Sequence, residues 1–417
     1  MRERLGIPHI ARHRTFVTAV AVDAVGSGVF MPVSVLYFLA TTSLTLPQVG
    51  AALSIAALVS LPFVLFVGQV VDRVGAKRVL IVANAVQAIG FVGYTQASSF
   101  AEVVLLTSLV GLGQSAFWAS YSPLVAALSE PGERELWFGF LGALRNVGFA
   151  LGGLAAGLVV TIDTTTAYRA VVLANAASYV VAVVLYLLVR DTAQQRPPEE
   201  DRAHWAVALR DKPFRILVLG NLVYALCSMA LNIAMPVYAS EILELPGWVT
   251  GAIFTVNTVL VGFGQGLVVR RMTGHARYRI ALLANVVFAA GFVLLAGVSA
   301  LSTSLAAVAI LVAVAVYTLG ELLGGPVLTT IAVDSRPAHL RGRYMALYQL
   351  SWLVCGIIAP SAFTWLLAHG EMTVWFALIG VAAVGALICM RMPSVLPVAA
   401  ARVTNRADDA ADASTVA

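Results

Sequence analysis

The sequence predicts an all-α membrane protein of twelve transmembrane helices arranged as two six-helix bundles. Three observations predict it. Apolar residues make up 60% of the 417 residues and charged residues only 11%, with a mean hydropathy of +0.90. No soluble globule of this size has that balance. Apolar runs of about 20 residues recur along the chain, each enough to cross a bilayer core as a helix. All but Arg145 and Arg169 of the 26 Lys and Arg residues fall in the segments that one side of the membrane would receive.

The elements follow in order. Residues 1–14 are a basic cytoplasmic arm, and 15–40 form span 1. That run is too long for a signal-peptide core, carries Asp23 and lacks a small-residue cleavage site, so it is expected to be retained. Spans 2 to 6 are 48–71, 78–97, 102–128, 137–161 and 168–189. The polar stretch 190–213 is the expected cytoplasmic linker. Spans 7 to 12 are 214–240, 248–269, 280–299, 305–333, 344–368 and 373–391, and 392–417 is a polar tail expected to be disordered. The expected domains are therefore bundles 15–189 and 214–391. Barrel strands would be shorter and would alternate in polarity. With the N-terminus in the cytoplasm, the basic residues gather on that side, as the positive-inside rule requires, and the C-terminus is cytoplasmic too. The pI of about 9.2 follows from this topology, so no nucleic-acid partner is expected. The expected location is the inner (plasma) membrane, with the lipid bilayer as the surrounding partner. Cys227, Cys355 and Cys389 fall in spans without metal-ligand spacing; no metal and no cofactor are expected.

The two halves share a weak repeat at a shift near 200. Arg78-Val-Leu-Ile-Val-Ala-Asn84 parallels Arg279-Ile-Ala-Leu-Leu-Ala-Asn285, and Gly90-Phe91 parallels Gly291-Phe292. Leu44-Thr-Leu-Pro47 parallels Leu243-Glu-Leu-Pro246, and Met31-Pro32 parallels Met235-Pro236. Matching order along the chain argues for two parallel six-helix repeats.

Between spans 2 and 3 lies a tight, basic turn, Gly68-Gln-Val-Val-Asp72-Arg73-Val-Gly75-Ala-Lys77-Arg78. It resembles the signature loop of the major facilitator superfamily, with Ala76 where the family form has a further basic residue. The resemblance extends over roughly 15–391 and implies the major facilitator fold, a midplane binding site and alternating access. Its repeat mate, Arg270–Arg279, keeps the bases and one Gly but no acid. Gly68, Asp72, Arg73, Gly75, Lys77 and Arg78 are the candidate gating residues. Asp72 is expected to latch onto the N-terminus of span 11, where unpaired amides carry partial positive charge.

Three ionisable residues lie deep in apolar spans: Asp23, Arg145 and Glu321. Such residues are costly and are functional candidates by default. Asp23 and Arg145 are expected to pair, which favours the charged carboxylate. Glu321 has no base at its depth in spans 7 to 12, so it is the expected proton carrier, with Asp23 as a second acidic site. Its setting, Gly320-Glu321-Leu-Leu-Gly-Gly-Pro326, resembles span 10 of drug–proton antiporters, several of which carry an essential acid there. Gly148, Gly152 and Gly153 resemble the antiporter motif of span 5. Phe149 replaces the motif's Pro and Leu144 its first Gly, and span 4 lacks the family's basic residue.

Polar and aromatic residues recur at helical spacing on single faces: Asp23, Ser27, Phe30, Ser34 and Tyr37 on span 1; Gln114, Trp118 and Tyr121 on span 4; Asn221, Tyr224, Ser228 and Asn232 on span 7; Tyr317, Glu321 and Leu328 on span 10. The resemblance implies that these spans line a central cavity, with Tyr348 and Trp352 of span 11 beside it. An apolar, aromatic cavity with a few acids suits lipophilic small molecules, cations included. Sugars and phosphate esters would need many more hydrogen-bonding or cationic groups.

No ATP motor is encoded. The two lysines are Lys77 and Lys212, and neither follows Gly as a phosphate-cradling loop requires. One charge crossing 100 mV releases about 2.3 kcal/mol, and a tenfold gradient costs about 1.4 kcal/mol. One proton per cycle can therefore sustain more than tenfold extrusion. The expected function is multidrug efflux: export of lipophilic molecules in exchange for protons, by a monomeric bacterial transporter rather than an enzyme. The alternative on the same fold is a proton-coupled importer or a dedicated metabolite exporter.

Overall fold

A backbone in hydrocarbon must satisfy its own N–H and C=O groups, so each apolar run becomes a helix. The computed structural model describes residues 10–128, 134–189, 212–334, 341–394 and 401–403. Twelve helices among them are long and apolar enough to cross a membrane. Span 1 runs Arg14–Phe30, Met31–Val33 and Ser34–Thr41; span 2 is Leu46–Val74, span 3 Ala76–Tyr94 and span 4 Phe100–Leu128. Span 5 is Arg134–Ile162 and span 6 Thr165–Leu188. Span 7 runs Lys212–Met229, Ala234–Val237 and Tyr238–Ile242. Spans 8 to 12 are Trp248–Met272, Arg277–Gly297, Thr303–Asp334, Arg341–Ala368 and Thr373–Arg391. The arm 1–9, most of the linker and residues 404–417 lie outside the described residues.

Several helices outrun their apolar cores, because charged end turns stay helical once nucleated by the buried part. The effect closes up the signature turn. Span 2 reaches Val74 and span 3 starts at Ala76, so the turn is one residue, Gly75, at φ 102° and ψ 136°. Only a residue without Cβ holds that conformation without strain. Gly68, Asp72 and Arg73 are thus the last turns of span 2, and Lys77 and Arg78 the first turn of span 3.

Spans 1 and 7 are broken rather than continuous. Pro32 sits in a 3-10 segment, Met31–Val33. In span 7 the α-helix stops at Met229 and restarts at Ala234, before Pro236. A proline removes one helical hydrogen bond and its ring crowds the carbonyl four residues back, which here is Asn232.

The chain divides into two compact units. The first is Met1–Glu200 with Pro246–Thr258 and Pro360–Trp365; the second is Asp201–Leu245, Val259–Ala359 and Leu366–Ala417. The division follows the linker, except that two short pieces of spans 8 and 11 belong to the first unit. Within that unit, a Cβ on Gly157 would lie 2.8 Å from Gly251 Cα, and the Ser361 N–H donates to Ser54 Oγ at 3.0 Å. Its core joins Phe16, Val67, Leu80, Phe117, Trp137 and Tyr186. In the second unit, residues 401–403 pair antiparallel with the span 8–9 loop, through Gly274 N–H to Val403 O at 2.8 Å and Val403 N–H to His275 O at 3.0 Å.

The repeat is visible bond by bond. Tyr37 donates to the Tyr94 carbonyl at 2.9 Å, and Tyr238 donates to the Leu295 carbonyl at 3.2 Å. Asn84 donates to the Leu80 carbonyl at 2.8 Å and Asn285 to the Ala281 carbonyl at 2.9 Å.

Candidate functional site

Among the described residues, each unit holds a polar cluster deep in its spans that contains an ionisable group. In the first, Arg145 Nη1 of span 5 donates to Asp23 Oδ2 of span 1 at 3.0 Å, and both side chains are almost enclosed. Spans 1 and 5 come this close because glycines line the crossing. A Cβ on Gly152 would lie 2.3 Å from the Gly28 carbonyl carbon, and one on Gly148 would lie 2.6 Å from Ala24 Cβ. Gly153 instead makes room for Phe254.

Four rings surround the Arg145 guanidinium. Its carbon lies 4.7 Å from the ring centre of Trp118, 5.6 Å from Phe117, 5.9 Å from Tyr121 and 5.6 Å from Phe149. A guanidinium over aromatic faces is held by the ring quadrupoles. Phe117 and Tyr121 are buried, with rings stacked at 5.5 Å, whereas Trp118 is 48% exposed. The buried Tyr121 hydroxyl has no hydrogen-bond partner in the structure. Phe117 was not singled out from the sequence, and Phe149 was named there only as the residue that replaces the motif's Pro. Phe149, one turn from Arg145 on the same helix, was the signal available.

Other candidates on span 1 are engaged in packing. Tyr37 is buried and its hydroxyl is spent on the Tyr94 carbonyl. Phe30 packs edge-on against Phe91 at 4.7 Å. Ser27 Oγ lies 3.2 Å from the Tyr179 hydroxyl. Gln114 is exposed on span 4, one turn before Trp118.

In the second unit, Tyr317 and Glu321 stand one turn apart on span 10. The Tyr317 oxygen lies 3.0 Å from Glu321 Oε1 and 3.0 Å from the Ser228 carbonyl of span 7. Tyr224 donates to the Glu321 main-chain carbonyl at 3.2 Å. The glycines around Glu321 have a spatial reason: a Cβ on Gly324 would lie 2.7 Å from the Tyr224 ring, and one on Gly320 would lie 2.9 Å from Phe288. Trp352 packs edge-on against Tyr224 at 6.0 Å. Tyr348 is buried; its hydroxyl lies 3.3 Å from Thr329 Oγ1 and its carbonyl accepts from Asn221. Asn232 lies in the break of span 7.

At the signature turn, Lys77 Nζ donates to the Val189 carbonyl at 2.6 Å. The cation thus sits at the C-terminal end of span 6, where unpaired carbonyls carry partial negative charge. Arg73 and Arg78 are exposed, and a Cβ on Gly68 would meet nothing within 4 Å. The side chain of Asp72 lies outside the described residues.

Comparison with known proteins agrees with this architecture. The family model described as Major Facilitator Superfamily matches residues 16–360. The chain is 25% identical over 336 residues to a multidrug resistance protein MdtH from Aeromonas salmonicida, covering 80% of this chain and 81% of that one. It is 24% identical over 365 residues to a Na(+), Li(+), K(+)/H(+) antiporter from Planococcus maritimus, covering 78% and 81%. Among solved structures, a mutant of the nucleoside transporter NupG superposes with a TM-score of 0.76 at 12% identity, over 91% of this chain and 98% of that one. A D-xylose-proton symporter superposes with a TM-score of 0.73 at 14% identity, over 93% and 98%. At such identities the solved structures speak for the fold alone.

Proposed function

The chain belongs to the Major Facilitator Superfamily, and from that premise we propose that it exports lipophilic small molecules, cations among them, in exchange for protons. It is a multi-pass transporter of the inner membrane and not an enzyme. The observation that carries the export reading is the Arg145 cluster. Aromatic faces closed by a carboxylate form a receptor for a lipophilic cation, and here the protein's own guanidinium occupies it. An incoming cation competes with Arg145 for the open face of Trp118 and for Asp23. Asp23, released from Arg145, is left to pair with that cation or with a proton. Occupancy of the site and the charge state of Asp23 are then linked.

Glu321 is the proposed proton carrier, since it is an ionisable carboxyl deep in span 10 with the Tyr317 phenol 3.0 Å from its Oε1. The relatives named as multidrug resistance proteins, and the one named as a cation–proton antiporter, support efflux coupled to protons. The monomer is the proposed transport unit, because the contacts described for each cluster come from one chain.

Everted membrane vesicles test the reading. A lipophilic cationic dye is expected to accumulate when the vesicle lumen is acidified and to leak out when a protonophore is added. Glu321→Gln is expected to abolish accumulation. Dye movement indifferent to the proton gradient would overturn the proposal. Gradient-driven uptake of a polar nutrient by right-side-out vesicles would replace it with the importer.

A further inference from the structure

The Tyr317 hydroxyl has one proton and three acceptors around it. Its oxygen lies 3.0 Å from the Ser228 carbonyl, 3.4 Å from the Cys227 carbonyl and 3.0 Å from Glu321 Oε1. A carbonyl only accepts, and so does a carboxylate, so one phenol proton cannot serve both span 7 and an ionised Glu321. Both short contacts are satisfied together when the carboxyl carries the proton. It then donates to the phenol oxygen, and the phenol donates to Ser228. When Glu321 is ionised, the charge-assisted bond is roughly twice as strong as a neutral one. The phenol proton then turns to the carboxylate, and Ser228 loses its donor. The ring, fully buried against Phe288 and Phe292, need not move; only the O–H rotates.

The Ser228 carbonyl lies at the break of span 7. In a continuous helix it would accept from the Asn232 N–H. Here that N–H donates to the Met229 carbonyl at 3.2 Å, and the Ala230 N–H donates to the Cys227 carbonyl at 3.1 Å. Tyr317 supplies the donor that the helix lost.

We propose that Tyr317 is a positioning residue that couples the protonation of Glu321 to the break in span 7. The protonated acid holds the break through the Tyr317–Ser228 bond, and the ionised acid releases it. This rests on the reading of Glu321 as the proton carrier. The phenol keeps its proton throughout; only the carboxyl proton enters and leaves. Among the described residues, the other titratable groups in that neighbourhood include Tyr224 and Cys227 of span 7 and Tyr348 and Cys355 of span 11.

The internal repeat shows that the device belongs to the second unit. A Cβ on Gly90 would meet Val110 as one on Gly291 would meet Tyr317. A Cβ on Gly113 would meet the Ala83 carbonyl as one on Gly320 would meet the Ala284 carbonyl. Tyr317 and Glu321 therefore correspond to Val110 and Gln114. Valine has no hydroxyl and glutamine does not ionise.

Hydrogen–deuterium exchange of the full chain in lipid nanodiscs, from pH 5 to 9 and corrected for intrinsic rates, tests this at residues 229–235. The wild type is expected to step from slow to fast exchange as pH rises, by about fivefold, the worth of one hydrogen bond. Tyr317→Phe is expected to exchange fast at every pH. Glu321→Gln is expected to exchange slowly at every pH, because its amide still donates to the phenol. A step of unchanged size in Tyr317→Phe would overturn the switch alone. Retained gradient-driven efflux in Glu321→Gln would overturn the proton-carrier reading beneath it. Should Tyr317→Phe fail to fold, fast exchange in Glu321→Gln overturns the switch.

Discussion

Arg145 reaches from span 5 to span 1 and donates to Asp23 at 3.0 Å, with 11% and 3% of the two side chains exposed. Removing one partner of a buried pair leaves an uncompensated charge, at about 3–5 kcal/mol. Asp23→Asn and Arg145→Gln are each expected to lower the thermal midpoint of the solubilised protein strongly. The double variant is expected to recover most of the loss while remaining inactive in dye efflux. Additive losses in the double variant would show that the pair contributes nothing as a pair.

Trp118 is the ring of the cluster with an open face. Trp118→Leu is expected to weaken binding of a lipophilic cation by about tenfold and to affect a neutral analogue of similar size less. Equilibrium dialysis of the two compounds against the purified variant gives the comparison. Equal losses would make Trp118 a packing residue.

The spans were legible because a bilayer core demands about 20 apolar residues, and Asp23 and Arg145 because hydrocarbon demands a partner for each charge. Phe117 and Phe149 were not, since an aromatic residue in an apolar span reads the same whether it packs on lipid or on a cation. The break in span 7 had a signal in Pro236. The role of the Ser228 carbonyl did not, because a main-chain acceptor has no residue type. The signature turn read as a loop because its charges mark the end of the apolar run rather than the end of the helix. The tail 392–417 was expected to be disordered, yet residues 401–403 pair with Gly274–Arg277. Main-chain pairing of three residues leaves little trace in composition.

Three glycines separate conformation from contact. Gly75 holds φ 102°, so Gly75→Ala is expected to destabilise through strain by about 1 kcal/mol or more. Gly152→Leu places a side chain against the main chain of Gly28 and is expected to prop spans 1 and 5 apart and abolish efflux. Gly68 meets nothing within 4 Å. Gly68→Ala is expected to keep the thermal midpoint or raise it, by up to about 1 kcal/mol of helix propensity. A lowered midpoint for Gly68→Ala alone would contradict this reading.

Tyr37 and Tyr238 tie the far ends of spans 1 and 7 to the carbonyls of Tyr94 and Leu295, which lie in spans 3 and 9. Each phenol is buried, so Tyr→Phe leaves one main-chain carbonyl without that donor, at about 1–2 kcal/mol. The shared geometry predicts similar losses for Tyr37→Phe and Tyr238→Phe. The two bonds lie in different units, so the double variant is expected to lose the sum. Chemical unfolding of the purified single and double variants in mixed micelles measures all three. A loss confined to one of the two tyrosines would mean that the repeat preserves the geometry of this contact without preserving its energetic worth.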